Sequence, residues 1–170
     1  MSKAVPEVVT ELHDSATLIA TWRGTPVENG LTVNLDDTFD EPEIDIKGGR
    51  DLDTYTLMLV DADAPSPSSP KYRCWLHWLV VNIPAHDVSA APGTAAEPVI
   101  PRGEVVQEYS PPEPARGRHR LLFLLYKQNG RVAVKKPAKR QGFQVRAWAQ
   151  DHNLGNPATG LWVYAQADEE

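Results

Sequence analysis

YTLMLVDADAPSPSSPKYRCWLHWLVVNIP, residues 55–84, holds two apolar runs joined by a proline- and serine-rich turn. The first run, 55–61, and the second, 75–83, are too short for typical buried helices and are bounded by turn residues. Runs this continuously apolar suit strands covered on both faces. Asp61 and Asp63 sit where the first strand gives way to the turn, and His77 interrupts the second. Alternation along an extended chain puts Tyr55, Leu57, Leu59, Asp61 and Asp63 on one side of the first strand, and Trp75, His77, Leu79 and Val81 on one side of the second. A buried imidazole needs a polar partner. The simplest is a carboxylate at the neighbouring strand end, so the pattern predicts that Asp61 orients His77.

Outward from this stretch the same grammar repeats. TLIATW (17–22), LTVNL (31–35) and EIDI (43–46) alternate or carry β-branched residues, and HRLLFLLY (119–126) and GLWVYAQ (160–166) are continuously apolar. Many short strands punctuated by fifteen prolines and eleven glycines predict a sandwich. One helix is predicted over 140–153, where Phe143, Ala147, Trp148 and Leu154 recur at helical spacing and Gly155 supplies a stop. Residues 85–103, rich in Ala, Pro and Gly, read as a long exposed loop, and ADEE at 167–170 reads as a solvated acidic tail.

The 170 residues suit a single domain spanning 1–170. Apolar residues make up 41%, an ordinary globular value. The formal net charge of −6 argues against direct nucleic-acid binding, which needs a cationic footprint. Cys74 is the only cysteine, which excludes an intrachain disulfide and a CxxC metal site. The N-terminal stretch lacks an apolar core long enough for a signal peptide, and no run is long enough to span a bilayer. The expectation is an intracellular protein.

Other chemistries fare less well. No GxSxG elbow accompanies the serines that a Ser–His–Asp triad would draw on. Asp61, Asp63, His77 and His119 could ligate a divalent cation, but their spacing matches no metal motif. Cys74 beside Arg73 reads as a packed thiol, with no paired base to activate it. SPPEPARGRHR, 110–120, adds a rigid proline stretch and a cluster of Arg and His donors suited to phosphate or carboxylate. Taken with the Asp–His pair, it predicts an anion pocket.

These motifs resemble those of the phosphatidylethanolamine-binding protein family. In that family D-P-D-A-P-S precedes a proline and then R-E-x-x-H, as in the run 61–77 here. A proline loop ending G-x-H-R matches PPEPARGRHR at 111–120, and NLGNPATG at 153–160 matches a late element. The resemblance runs from about Val8 to Gln166 and is nearer the plant flowering-time branch, on segments such as VENGLTVNL (27–35) and LHWLVVNIP (76–84). It implies a mainly β fold, a large antiparallel sheet packed on a smaller one with a few peripheral helices. It also implies a pocket for phosphate or phosphoryl headgroups lined by Asp61, Asp63, Tyr72, Trp75, His77, Pro112, Pro114 and His119. Ala64–Pro65 falls where the family has a cis peptide. Departures are Ala62 between the aspartates, Cys74 in place of the glutamate after the arginine, and Trp75 where floral promoters have Tyr and repressors His.

The function implied is that of a non-enzymatic, monomeric regulator, cytoplasmic and also nuclear. It would hold a phosphate or phosphoryl headgroup, that of a phospholipid included, need no cofactor or metal, and act through a kinase or transcription-factor complex. For 14-3-3 docking, Pro84 and Arg131 match, but the aromatic and the second arginine do not. The alternative that the family implies is inhibition of a serine protease or carboxypeptidase.

Overall fold

The computed structural model describes residues 3–9, 11–13, 15–85 and 100–167. Most of the expected loop at 85–103 and nearly all of the acidic tail at 167–170 lie outside the described residues. Eight strands are present: β1 (Thr17–Trp22), β2 (Thr25–Pro26), β3 (Glu43–Lys47), β4 (Thr54–Asp61), β5 (Trp75–Pro84), β6 (Glu104–Gln107), β7 (Arg118–Lys127) and β8 (Thr159–Gln166). They form a five-stranded sheet in the order β6-β5-β4-β7-β8 and a three-stranded sheet in the order β2-β1-β3, with antiparallel pairing throughout. Mainly β architecture, a large antiparallel sheet with a smaller one, is thus the fold of the chain. Among the described residues the helices are α1 (Val145–Asp151) and 3₁₀ turns at Leu35–Thr38 and Ile100–Arg102. None is long and apolar enough to cross a membrane.

The central strands β4, β5 and β7 are apolar on both faces because each face meets a core. On one face Tyr55, Leu57, Leu59, Leu121, Phe123 and Leu125 pack against Leu18, Ala20, Trp22, Ile44 and Ile46 of the small sheet. Trp22 and Phe123 meet across the layers in a tilted contact, ring centroids 5.4 Å apart and planes at 59°. On the other face Met58, Val60, Leu122 and Leu124 pack against Val5, Val8, Val9 and the α1 residues Val145 and Ala149.

Three local expectations are corrected. LTVNL (31–35) is not a strand: Thr32 makes an isolated parallel bridge to Tyr164, and the chain then enters a 3₁₀ turn at Leu35. Asn34 caps that turn, its Oδ1 accepting from the Asp36 N–H at 3.1 Å. The helix begins at Val145 rather than 140, because the preceding backbone is already engaged by the entry to β5: Leu76 N–H donates to Arg140 O at 2.9 Å and Phe143 N–H to Cys74 O at 2.8 Å. It ends through Asn153 as well as Gly155, both at positive φ. Finally, Leu79 and Val81 do not share a face with His77. Leu59 pairs with Trp78 but Val60 pairs with Leu76, so β5 carries a register shift at His77. The shift sends Leu79 and Val81 into the second core, while Trp78 and Val80 stay in the first.

Candidate functional site

The site lies where β4 ends and β5 and β7 begin. Asp61 is the last residue of β4, opposite Trp75 on β5 and Leu121 on β7. Asp61, His77 and His119 are all buried. Together with Tyr72, Trp75, Ala64, Pro65, Ser110, Pro111, Glu113 and Ala115 they line a cavity of about 260 Å³. The pieces arrive from three segments: the turn after β4, the start of β5, and the proline loop that precedes β7. The Ala64–Pro65 and Arg73–Cys74 peptides flanking the turn are both cis.

The pairing inside the cavity differs from the expected one. Asp61 Oδ2 accepts from His119 Nδ1 at 2.6 Å, so this carboxylate orients His119 and not His77. The cause is register: Asp61 and His119 are near neighbours across the β4–β7 ladder. His119 Nε2 lies 2.8 Å from Arg116 O. A carboxylate and a carbonyl both accept, so the ring uses both nitrogens as donors and is held as imidazolium. Burial opposes charge on this ring, but the Asp61 hydrogen bond and charge outweigh it and raise the pKa above the ordinary histidine value. Gly117, at φ +74°, makes the turn that brings Arg116 O back to His119.

His77 is held from the other side of the cavity. Its Nδ1 lies 2.8 Å from Ser110 O, which makes Nδ1–H the donor and leaves Nε2 bearing the lone pair of the neutral ring. Burial lowers its pKa, partly opposed by the Ser110 hydrogen bond and the Asp61 charge. Arg140 braces this strand by donating from Nη1 to Leu76 O and His77 O, and from Nη2 to Glu108 O.

Asp63 is brought near but faces elsewhere. β4 stops at Asp61, and the chain turns so that Asp63 N–H donates back to Asp61 Oδ1 at 2.7 Å. The Asp63 carboxylate then meets Arg120 in a bidentate pair, from Nε and Nη2, each at 2.8 Å. Burial pushes its pKa up, and the Arg120 contacts more than reverse this to leave it below the usual carboxylate range. Arg120 itself is raised, chiefly by Asp63, and reaches on to Glu7 and Ala4 O. Asp63 is therefore part of the buried support behind the cavity and is absent from its lining. Pro112 and Pro114 line a neighbouring, more open depression of about 630 Å³ with Arg23, Leu35 and Phe39. Pro111 and Glu113 border both.

The sequence reading missed the supporting residues. Strand alternation was the available signal for Arg120, which must face away from His119 and hence toward the side where Asp63 turns. Ser110 acts through its carbonyl, which no side-chain pattern reveals.

Comparison with known proteins identifies the family and the fold. The pattern of the family described as phosphatidylethanolamine-binding protein matches residues 23–163. The chain is 37% identical to the FLOWERING LOCUS T protein of Arabidopsis thaliana, over 99% of this chain and 90% of that protein. It is 38% identical to the MOTHER of FT and TFL1 homolog 2 protein of Oryza sativa subsp. japonica, over 99% and 91%. Its fold superposes with a TM-score of 0.81 on a carboxypeptidase Y inhibitor solved with its cognate proteinase (23% identity, 98% of this chain, 91% of that one). A phosphatidylethanolamine-binding protein from Plasmodium vivax superposes at 0.76 (17% identity, 98% and 94%). The chain belongs to the phosphatidylethanolamine-binding protein family and is similar to its plant flowering-time members.

Proposed function

We propose that this chain is a single-domain, monomeric, non-enzymatic regulator that holds a phosphate or phosphoryl headgroup in the His77–His119 cavity. It signals through a protein partner such as a kinase or transcription-factor complex, in the cytoplasm and the nucleus. The observation that carries the reading is the convergence of Asp61, Tyr72, Trp75, His77 and His119 on one cavity of about 260 Å³, a volume suited to a small headgroup and too small for a drug-sized ligand. Tyr72 and Trp75, both half-buried, form part of its wall and shield the polar contacts beside them. No activated nucleophile stands out: Cys74 lies outside the lining, buried in the second core with its thiol pushed up to about 12, and His119 is already saturated. The plant flowering-time relatives support a regulatory role.

Titration of phosphoethanolamine into the full chain, followed by the histidine ring resonances, tests this reading. Saturable shifts at His77 and His119 are expected, and their absence at millimolar ligand would end it. Protease inhibition has the carboxypeptidase Y inhibitor's fold behind it, and at 23% identity that likeness extends to the fold alone.

A further inference from the structure

The two histidines of the cavity have no free N–H to offer a ligand. His119 gives both ring N–H groups to Asp61 and Arg116 O. His77 gives Nδ1–H to Ser110 O, and its Nε2 has no partner among the described residues. The Ser110 N–H is given to His77 O at 2.9 Å and the Asp63 N–H to Asp61. Pro65 and Pro111 have no N–H to offer. Two carboxylates, Asp61 and Glu113, stand in the wall. Among the side chains, what remains to donate is hydroxyl and indole: Ser110, Tyr72 and Trp75; Ala64, Glu113 and Ala115 also bring backbone N–H groups to the lining.

An oxyanion with no hydrogen of its own would set lone pairs against the His77 Nε2 lone pair and against two carboxylates. Groups left unpaired in this way cost binding free energy that a matched ligand does not lose. Resting on the pocket reading above, we infer that the ligand itself must carry a hydrogen. The cavity selects a phosphate monoester or inorganic phosphate bearing P–O–H, which donates to His77 Nε2, over anions of the same shape with none, such as sulfate.

The groups around His77 are consistent with this. Asp61 from β4, His119 from β7 and Glu113 from the proline loop share its cavity, and Arg140 from the segment after β7 donates to its backbone carbonyl. The Asp61 carboxylate and the His119 imidazolium offset each other. Burial dominates and favours the neutral ring, so His77 arrives as an acceptor.

The test is calorimetry on the full chain with inorganic phosphate, methyl phosphate and sulfate at about pH 6, near the second pKa of a phosphate monoester. Both phosphates should bind at least about tenfold more tightly than sulfate; toward about pH 8 the advantage should shrink for methyl phosphate, whose dianion has no P–O–H, and persist for inorganic phosphate, which keeps one. Phosphoethanolamine against glycerophosphoethanolamine, a diester with no P–O–H, separates a free monoester from a lipid headgroup whose ammonium supplies the hydrogen. Glu113→Gln, at an exposed position, replaces an acceptor with a donor and should narrow the phosphate-to-sulfate ratio. Sulfate binding within about threefold of phosphate overturns the inference while leaving the pocket reading intact. A ratio unmoved in both Glu113→Gln and His77→Gln also overturns it. If none of these ligands binds, the pocket reading falls and the inference with it.

Discussion

Asp61 and His119, on adjacent strands 58 positions apart in sequence, are joined by a hydrogen bond of 2.6 Å between Oδ2 and Nδ1. The bond ties the end of β4 to the start of β7 and fixes a positive ring beside a negative carboxylate in the floor of the cavity.

That bond makes stability depend on pH. The folded-state pKa of His119 is raised above its unfolded value of about 6.5. Its contribution is therefore fully present below about 6.5 and is lost as pH rises through the folded value. His77 acts in the opposite sense: its folded pKa is lowered, so it costs stability as pH falls below about 6.5. Urea midpoints measured across this range should show a decline on the alkaline side in the parent that is absent in His119→Gln. An equal alkaline decline in both proteins contradicts the imidazolium assignment.

Asp63 is predicted to matter for folding more than for ligand. Asp63→Ala leaves a largely buried guanidinium with only Glu7 and a carbonyl, and should cost about 2–3 kcal/mol, discounted for the partial exposure of Arg120. The folded pKa of Asp63 is depressed, so the pair's contribution is present above about 3.8 and lost as pH falls through the folded value. Acid unfolding should begin at higher pH in the variant. Full retention of the parent's urea midpoint contradicts the support role.

Cys74 should be chemically silent in the folded chain. It is 4% exposed and its thiol is pushed up to about 12, chiefly by burial. A thiol-reactive chromophore should label it only when denaturant is added; rapid labelling of the native chain would place the residue elsewhere.

Phe123 lies fully buried between the sheets against Trp22. Phe123→Ala should cost about 3–5 kcal/mol and lower Tm by roughly 10 °C. A loss below about 1 kcal/mol would mean that the layer between the two sheets is not the core described.

The long strands were legible because burial on both faces writes itself as uninterrupted apolar sequence, as at Tyr55–Val60 and Leu121–Tyr126. The short β2 and β6 were not, since TP and EVVQ are stabilised by neighbours rather than by their own pattern. Asp61, Tyr72, Trp75, His77 and His119 of the expected set line the cavity, while Asp63, Pro112 and Pro114 do not, and the wiring was not readable. A register shift at His77 and the β4–β7 ladder decide that Asp61 meets His119, and neither leaves a mark in the sequence. Period-two reasoning put Asp63 on the Asp61 face and stops applying where β4 ends; the family resemblance put it in the lining.

The most direct measurement is calorimetric titration of phosphoethanolamine into the parent chain and into His77→Ala, with thermal melts confirming that both are folded. Saturable binding in the parent and its loss in the variant is the predicted result. Equal affinity in the two folded proteins would contradict the claim that this cavity holds the ligand.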